Sequence, residues 1–263
     1  MEFETLRLEQ PAPGVARIVL SRPAALNAVS LKLALELRES LRRVEMDGTV
    51  RVLILTGEGK AFCAGGDVAA FHAALPAPEQ LIKDIVLPLH DAVAIMTHMD
   101  KPVLAAVNGV AAGAGLGLLL AADLAYAGQS AKFSLAYAGI GASPDGGTTF
   151  YLTRLLGLRR AMELVLENGV LDAGRAQELG LVNGVVADAE LQAYVLERAE
   201  RVAAGPTRAY GTAKRLLHGS FDSSFESQLM REGRGIAAMA STQDFAEGVT
   251  AFVQKRKPAF KGR

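Results

Sequence analysis

An α/β fold with a helical C-terminal portion is predicted from three observations. Short apolar runs of strand character alternate with helical periodicity up to about residue 147. Two glycine-rich loops each follow a buried, strand-like run and lead into a helix. Beyond these loops the pattern is helical almost throughout, which separates a mixed body from an α-rich end.

The elements follow in chain order. Residues 5–8 and 15–20 read as strands joined by a turn at 11–14, and Ser30 opens a helix that ends near Asp47-Gly48. VLILT, residues 52–56, reads as a buried strand running into the loop GEGKAFCAGGD. A helical stretch at 68–75 stops at Pro76 and Pro78, and a longer one at 79–99 is expected to be disturbed at Pro88. Residues 103–107 form the next buried strand, followed by the loop NGVAAG and a small-residue helix ending near Ala122. Short strands are expected at 124–127 and 132–134, and helices at 161–167, 173–179, 190–204, 207–218, 225–239 and 244–254.

The composition excludes several classes. The 263 residues are 50% hydrophobic and 21% charged, which is ordinary globular usage and not that of a disordered chain. Lys+Arg and Asp+Glu both number 28, so the basic surplus of a nucleic-acid binder is missing. One cysteine, Cys63, excludes an internal disulfide and a cysteine-based zinc cluster and favours a reducing compartment. The opening MEFETLRLEQ lacks the apolar core of a secretory signal and the ending PAFKGR is not the peroxisomal tripeptide, so a cytoplasmic location is expected. Residues 102–122 carry no charge over a length that could span a bilayer, but Asn108 and a cluster of glycines interrupt them. A strand, a loop and a buried helix fit that stretch better, and no membrane partner is expected.

The two loops are Ala61-Phe62-Cys63-Ala64-Gly65-Gly66-Asp67 and Asn108-Gly109-Val110-Ala111-Ala112-Gly113-Ala114-Gly115. Small residues at a strand-to-helix junction let backbone N–H groups approach a ligand closely. Two such loops can aim two N–H groups at one oxygen and so stabilise a developing oxyanion. Taken singly, either loop also reads as glycine for tight turns and close helix packing. The spacing is neither the dinucleotide fingerprint nor a P-loop.

Ser21-Arg22-Pro23…Leu26-Asn27-Ala28, GKAFCAGGDV, KPVLAAVNGVAAGAGLGLLLAADLAYA, GIGASPDGGTTFYLTRLLG and the tail EGVTAFVQKRKPAFKGR together resemble the crotonase superfamily, the enoyl-CoA hydratase/isomerase family, over nearly the whole chain. Among its members the chain looks most like the phenylacetate-pathway isomerases, which implies isomerisation of an unsaturated or epoxidised acyl-CoA through a thioester enolate with Asp145 as acid and base. The resemblance implies a crotonase-like spiral of ββα units in residues 1–200 and a helical oligomerisation region in 201–263, giving a homotrimer or a dimer of trimers. It implies an acyl-CoA thioester substrate, with coenzyme A as part of the substrate and no separate cofactor. The thioester oxygen would sit between the N–H groups of Ala64 and Ala114. Gly65, Gly66 and Asp67 would line the CoA channel, Arg22 would approach a CoA phosphate, Phe252, Lys255 and Phe260 would meet its nucleotide end, and Tyr137 and His90 would contact the substrate. Arg22 and Lys255 also read as solvated charges, and the phenylalanines as helix packing.

The reaction depends on acid–base groups near the substrate carbons. Hydratases of this family use two glutamates, and those positions match Gly117 and Tyr137 here, so hydration by two carboxylates is disfavoured. Asp145, in Ser143-Pro144-Asp145-Gly146-Gly147, matches the pattern of isomerase members, in which one carboxylate shuttles a proton. An Asp before a helix also reads as an N-cap. Three alternatives stay open: a hydratase, an aryl-CoA dehalogenase-like enzyme with Asp145 as nucleophile and His90 as base, and a non-catalytic acyl-CoA-binding protein. His72, His90, His98 and His218 have no ligand spacing, so no metal is expected. Asp67 is expected to cap a helix, Asp123 to satisfy backbone at a strand, and Cys63 to pack.

Overall fold

A computed structural model describes residues 2–263. Strands β1 (Leu6–Ala12) and β2 (Val15–Leu20) form an antiparallel hairpin, followed by helix α1 (Leu31–Met46), whose cap Ser30 accepts the Leu33 N–H at 3.2 Å. β1 continues through Pro11, beyond the predicted strand end. It is the outer strand of its sheet and its pairing shifts between Glu9 and Ala12, so a residue with no N–H is tolerated there.

The body repeats one device three times. β3 (Val52–Gly57) leads to β4 (Ala61–Cys63), then to helices α2 (Val68–Ala73) and α3 (Glu79–His98). β5 (Val103–Val107) leads to β6 (Val110–Ala112), then to α4 (Ala114–Leu120). β7 (Leu124–Gly128) leads to β8 (Lys132–Ser134), then to α5 (Thr148–Leu156) and α6 (Leu158–Glu167). In each unit the first strand joins a six-stranded sheet, completed by β10 (Gly184–Val186), in the order β1-β2-β3-β5-β7-β10. The second joins a four-stranded sheet, completed by β9 (Val170–Asp172), in the order β4-β6-β8-β9. This is the spiral of ββα units that the resemblance implies. The uncharged stretch at 102–122 is β5, β6 and α4, and among the described residues no helix is long and apolar enough to cross a membrane.

β9 (Val170–Asp172), α7 (Ala173–Glu178), β10 (Gly184–Val186) and α8 (Leu191–Ala203) complete the body. Alternation along the central strands divides its core. Leu53, Leu55, Val103 and Ala105 face α1, α3 and the small sheet, while Val52, Ile54, Leu104 and Ala106 face Leu191, Val195 and Ala199 of α8. α3 runs unbroken through Pro88, contrary to the expected disturbance. Pro88 is itself buried, and packing against α1 outweighs the missing backbone bond.

α9 (Thr207–Gly219), α10 (Phe225–Ala240) and α11 (Gln243–Val253) follow. Buried Lys214 on α9 donates to Met96 O at 2.5 Å and pairs with Asp123 at 2.8 Å; Asp123 also accepts the Val103 N–H at 2.7 Å. Asp123 thus satisfies backbone at a strand, as expected. α10 has no buried residue and exposes Phe225, Leu229, Met230 and Ile236.

Candidate active site

The small sheet places the loops. β4, β6 and β8 run parallel and adjacent, so the chain leaves their C-terminal ends side by side, about 4.8 Å apart per strand. The first exit carries Ala64–Asp67, the second Gly113–Ala114, and the third Tyr137 and Asp145.

The first two exits are packed almost atom to atom. A methyl added to Gly65 would lie 3.0 Å from Ala112 O, and one on Gly115 would lie 2.1 Å from Cys63 O. Gly65 has φ +100° and Gly113 has φ +51°, both in the left-handed region that favours glycine. Each therefore sets the peptide plane of the residue after it. Behind them, fully buried Asn27 donates to Ala61 O at 2.8 Å and Glu58 O at 3.0 Å, and accepts the Arg22 N–H at 2.8 Å.

These contacts correct the assignment of the first amide. The Ala64 N–H donates to Leu26 O at 3.0 Å and is not available to a ligand. Val29 and Gly66 form a parallel bridge in which Val29 N–H donates to Gly65 O and Asp67 N–H to Val29 O. In that geometry the neighbours make the bonds, and Gly66's own N–H points to the opposite side. The Ala114 N–H belongs to the first residue of α4, where a helix leaves its donors unpaired. Neither the Gly66 nor the Ala114 N–H has an acceptor among the described residues. The sequence signal for the shift is the Gly65-Gly66 pair; the reason, contacts from Leu26 and Val29, lies more than thirty residues away.

The third exit supplies side chains. The Tyr137 hydroxyl donates to Asp145 Oδ1 at 2.6 Å, and its ring stands beside Gly113, where an added methyl would be 3.9 Å from Cζ. Burial first, then the Asp145 charge, raises the phenol's pKa, so it stays protonated. The Gly146 N–H donates to His90 Nε2 at 3.1 Å, which ties the loop to α3. A methyl on Gly117 would lie 2.8 Å from Gly146 O and 3.0 Å from Thr148 Oγ1, so the loop fills the space that a side chain there would need.

Other expected site residues are placed differently. Arg22 pairs with Asp67 at 3.0 Å and also donates to Ala28 O, so it braces its own loop against the start of α2. Asp67 caps α2 by accepting the Ala70 N–H at 3.2 Å, as expected. Asp145 is not the cap of α5: residue Gly147 holds that position. Phe252 and Lys255 lie at the exposed end of α11, and no hydrogen bond or ion pair links them to the loops. Cys63 is fully buried and its thiol is pushed up to about 12 by that burial, so it packs and does not react. Among the described residues, no group of three or more His, Cys, Asp or Glu is arranged to hold a metal ion. Two cavities open elsewhere: one of about 710 Å³ among α3, α5 and α9, bordered by His90 and Gly147, and one of about 600 Å³ under α9 around Asp123 and Lys214.

Two amides without an acceptor and a carboxylate thus leave adjacent strands of one small sheet. Comparison with known proteins identifies the family. Residues 10–263 match the family model described as enoyl-CoA hydratase/isomerase. A probable enoyl-CoA hydratase of Rhodobacter capsulatus is 38% identical over the full length of both chains. A 1,2-epoxyphenylacetyl-CoA isomerase of Escherichia coli is 37% identical, also over all of both chains. A 4-chlorobenzoyl coenzyme A dehalogenase of an Arthrobacter species is 39% identical over 92% of this chain and 88% of that one. The crystal structure of an enoyl-CoA hydratase from Bacillus anthracis superposes with a TM-score of 0.93 at 33% identity, covering 99% of this chain and all of that one. Fold and full-length similarity coincide, and the chain belongs to the enoyl-CoA hydratase/isomerase family.

Proposed function

We propose that this family enzyme isomerises an unsaturated acyl-CoA through a thioester enolate. The thioester oxygen would lie between the N–H groups of Gly66 and Ala114. Asp145 would take a proton from C2 of a 3-enoyl-CoA while the electron pair moves into the enolate. Returning that proton to C4 leaves the double bond between C2 and C3, so one carboxylate serves both steps. The observation that carries this reading is Asp145 itself: a carboxylate joined through Tyr137 to the loop of the second amide. The E. coli relative named as an isomerase supports the same class of chemistry.

The hydratase names among the relatives favour a second reaction, but neither Gly117 nor Tyr137 supplies the second carboxylate, and Gly146 O crowds Gly117. Dehalogenation would use His90 to activate water, whereas His90 Nε2 accepts the Gly146 N–H. Purified enzyme is expected to convert 3-enoyl-CoA to the conjugated 2-enoyl-CoA, followed by absorbance. Asp145→Ala should lose about 10²–10⁴-fold in kcat. An Asp145→Ala enzyme of near wild-type rate would refute the proton shuttle. Fast hydration of crotonyl-CoA, or chloride release from 4-chlorobenzoyl-CoA, would reassign the reaction.

We further take residues 201–263 as the oligomerisation region, with the apolar residues of α10 covered by other copies of the chain in a trimer or a dimer of trimers in the cytoplasm. Sedimentation measurements should return a trimer or hexamer mass; a monomer would reject this assignment.

A further inference from the structure

We propose that Tyr137 is a positioning residue that pins Oδ1 of Asp145 and leaves Oδ2 to carry the proton. This rests on the proton-shuttle reading of Asp145 and deepens it. Three observations place the phenol for that task. Its hydroxyl donates to Asp145 Oδ1 at 2.6 Å, a short charge-assisted bond. The residue before it, Ala136, has φ +59°, a left-handed conformation that costs free energy in a residue with a Cβ. Together with the Tyr137 N–H bond to Leu135 O at 2.7 Å, that turn swings the ring between Gly113 and Asp145.

A carboxylate held by one oxygen cannot rotate to present either face. Tyr137→Phe removes the hydroxyl and keeps the ring, and it leaves His90 unchanged, so the comparison isolates one donor.

The test is the steady-state kinetics of isomerisation in wild type, Tyr137→Phe, Asp145→Ala and the double variant. In Tyr137→Phe kcat should fall about 10–100-fold, the equivalent of one charge-assisted hydrogen bond, with KM nearly constant, and the double variant should be no slower than Asp145→Ala alone. An inactive Asp145→Ala beside a Tyr137→Phe enzyme with an unchanged kcat, or with a change confined to KM, overturns the positioning role alone. An active Asp145→Ala enzyme overturns the proton shuttle, and this inference with it.

Discussion

The loops after β4 and β6 leave neighbouring strands of the same small sheet as the loop after β8, yet they contribute different groups. The first two offer backbone N–H groups and are packed on one another through Gly65, Gly113 and Gly115, with the closest approach 2.1 Å from a would-be methyl. The third offers side chains, with exposed or half-buried residues from Ala138 to Asp145, and is fixed by two polar ties, Tyr137 to Asp145 and Gly146 to His90. A backbone donor needs no particular side chain, only a rigid peptide plane, so close glycine packing suits it. The proton carrier must be a titratable side chain, so its loop is where a change of residue redirects the reaction.

The largest effect expected from the backbone loops separates the two regions directly. Ala114 is the first residue of α4, a position where proline is tolerated and its missing N–H disturbs no helical bond. Ala114→Pro deletes the donor and should reduce kcat about 10²–10³-fold with the circular dichroism spectrum retained. A near-normal rate would show that the backbone region does no chemistry. Gly115→Ala attacks the packing instead. Its methyl would press on Cys63 O and should destabilise by about 1–3 kcal/mol, lowering Tm by several degrees. An unchanged Tm would mean that the loops tolerate separation. Gly117→Glu restores a carboxylate at one of the two hydratase positions but should not confer fast hydration of crotonyl-CoA, because Gly146 O occupies its path. Fast hydration in that variant would show that the third loop yields more readily than its contacts suggest. Cys63 sharpens the contrast with the smallest effect. Its thiol should resist iodoacetamide at pH 8 in the native enzyme and react after unfolding, and rapid native labelling would contradict the buried, high-pKa thiol.

Much of this was legible in the chain. Ser30, Asp67 and the apolar period of α1 mark helices by local rules, and VLILT and VLAAV mark the central strands by their uninterrupted apolar runs. The glycine-rich composition located both loops, and the resemblance singled out Asp145. The strands β4, β6, β9 and β10 were not foreseen, since each has three residues, too few for a period-2 signal, and exists through its partners. The amide donor was placed at Ala64 for a related reason. Local sequence shows that a loop is rich in small residues, but which N–H is free depends on Leu26 and Val29, brought there by the fold. Tyr137 was read as a substrate contact because its hydrogen bond to Asp145 depends on the turn at Ala136, a left-handed alanine that no propensity suggests.

Isotope-edited infrared spectroscopy of a bound, unreactive acyl-CoA with a carbon-13 thioester carbonyl tests the paired amides most directly. A carbonyl stretch displaced to lower frequency on binding, with much of that displacement lost in Ala114→Pro, is expected. A stretch at its free-solution frequency in the wild-type complex would contradict the site.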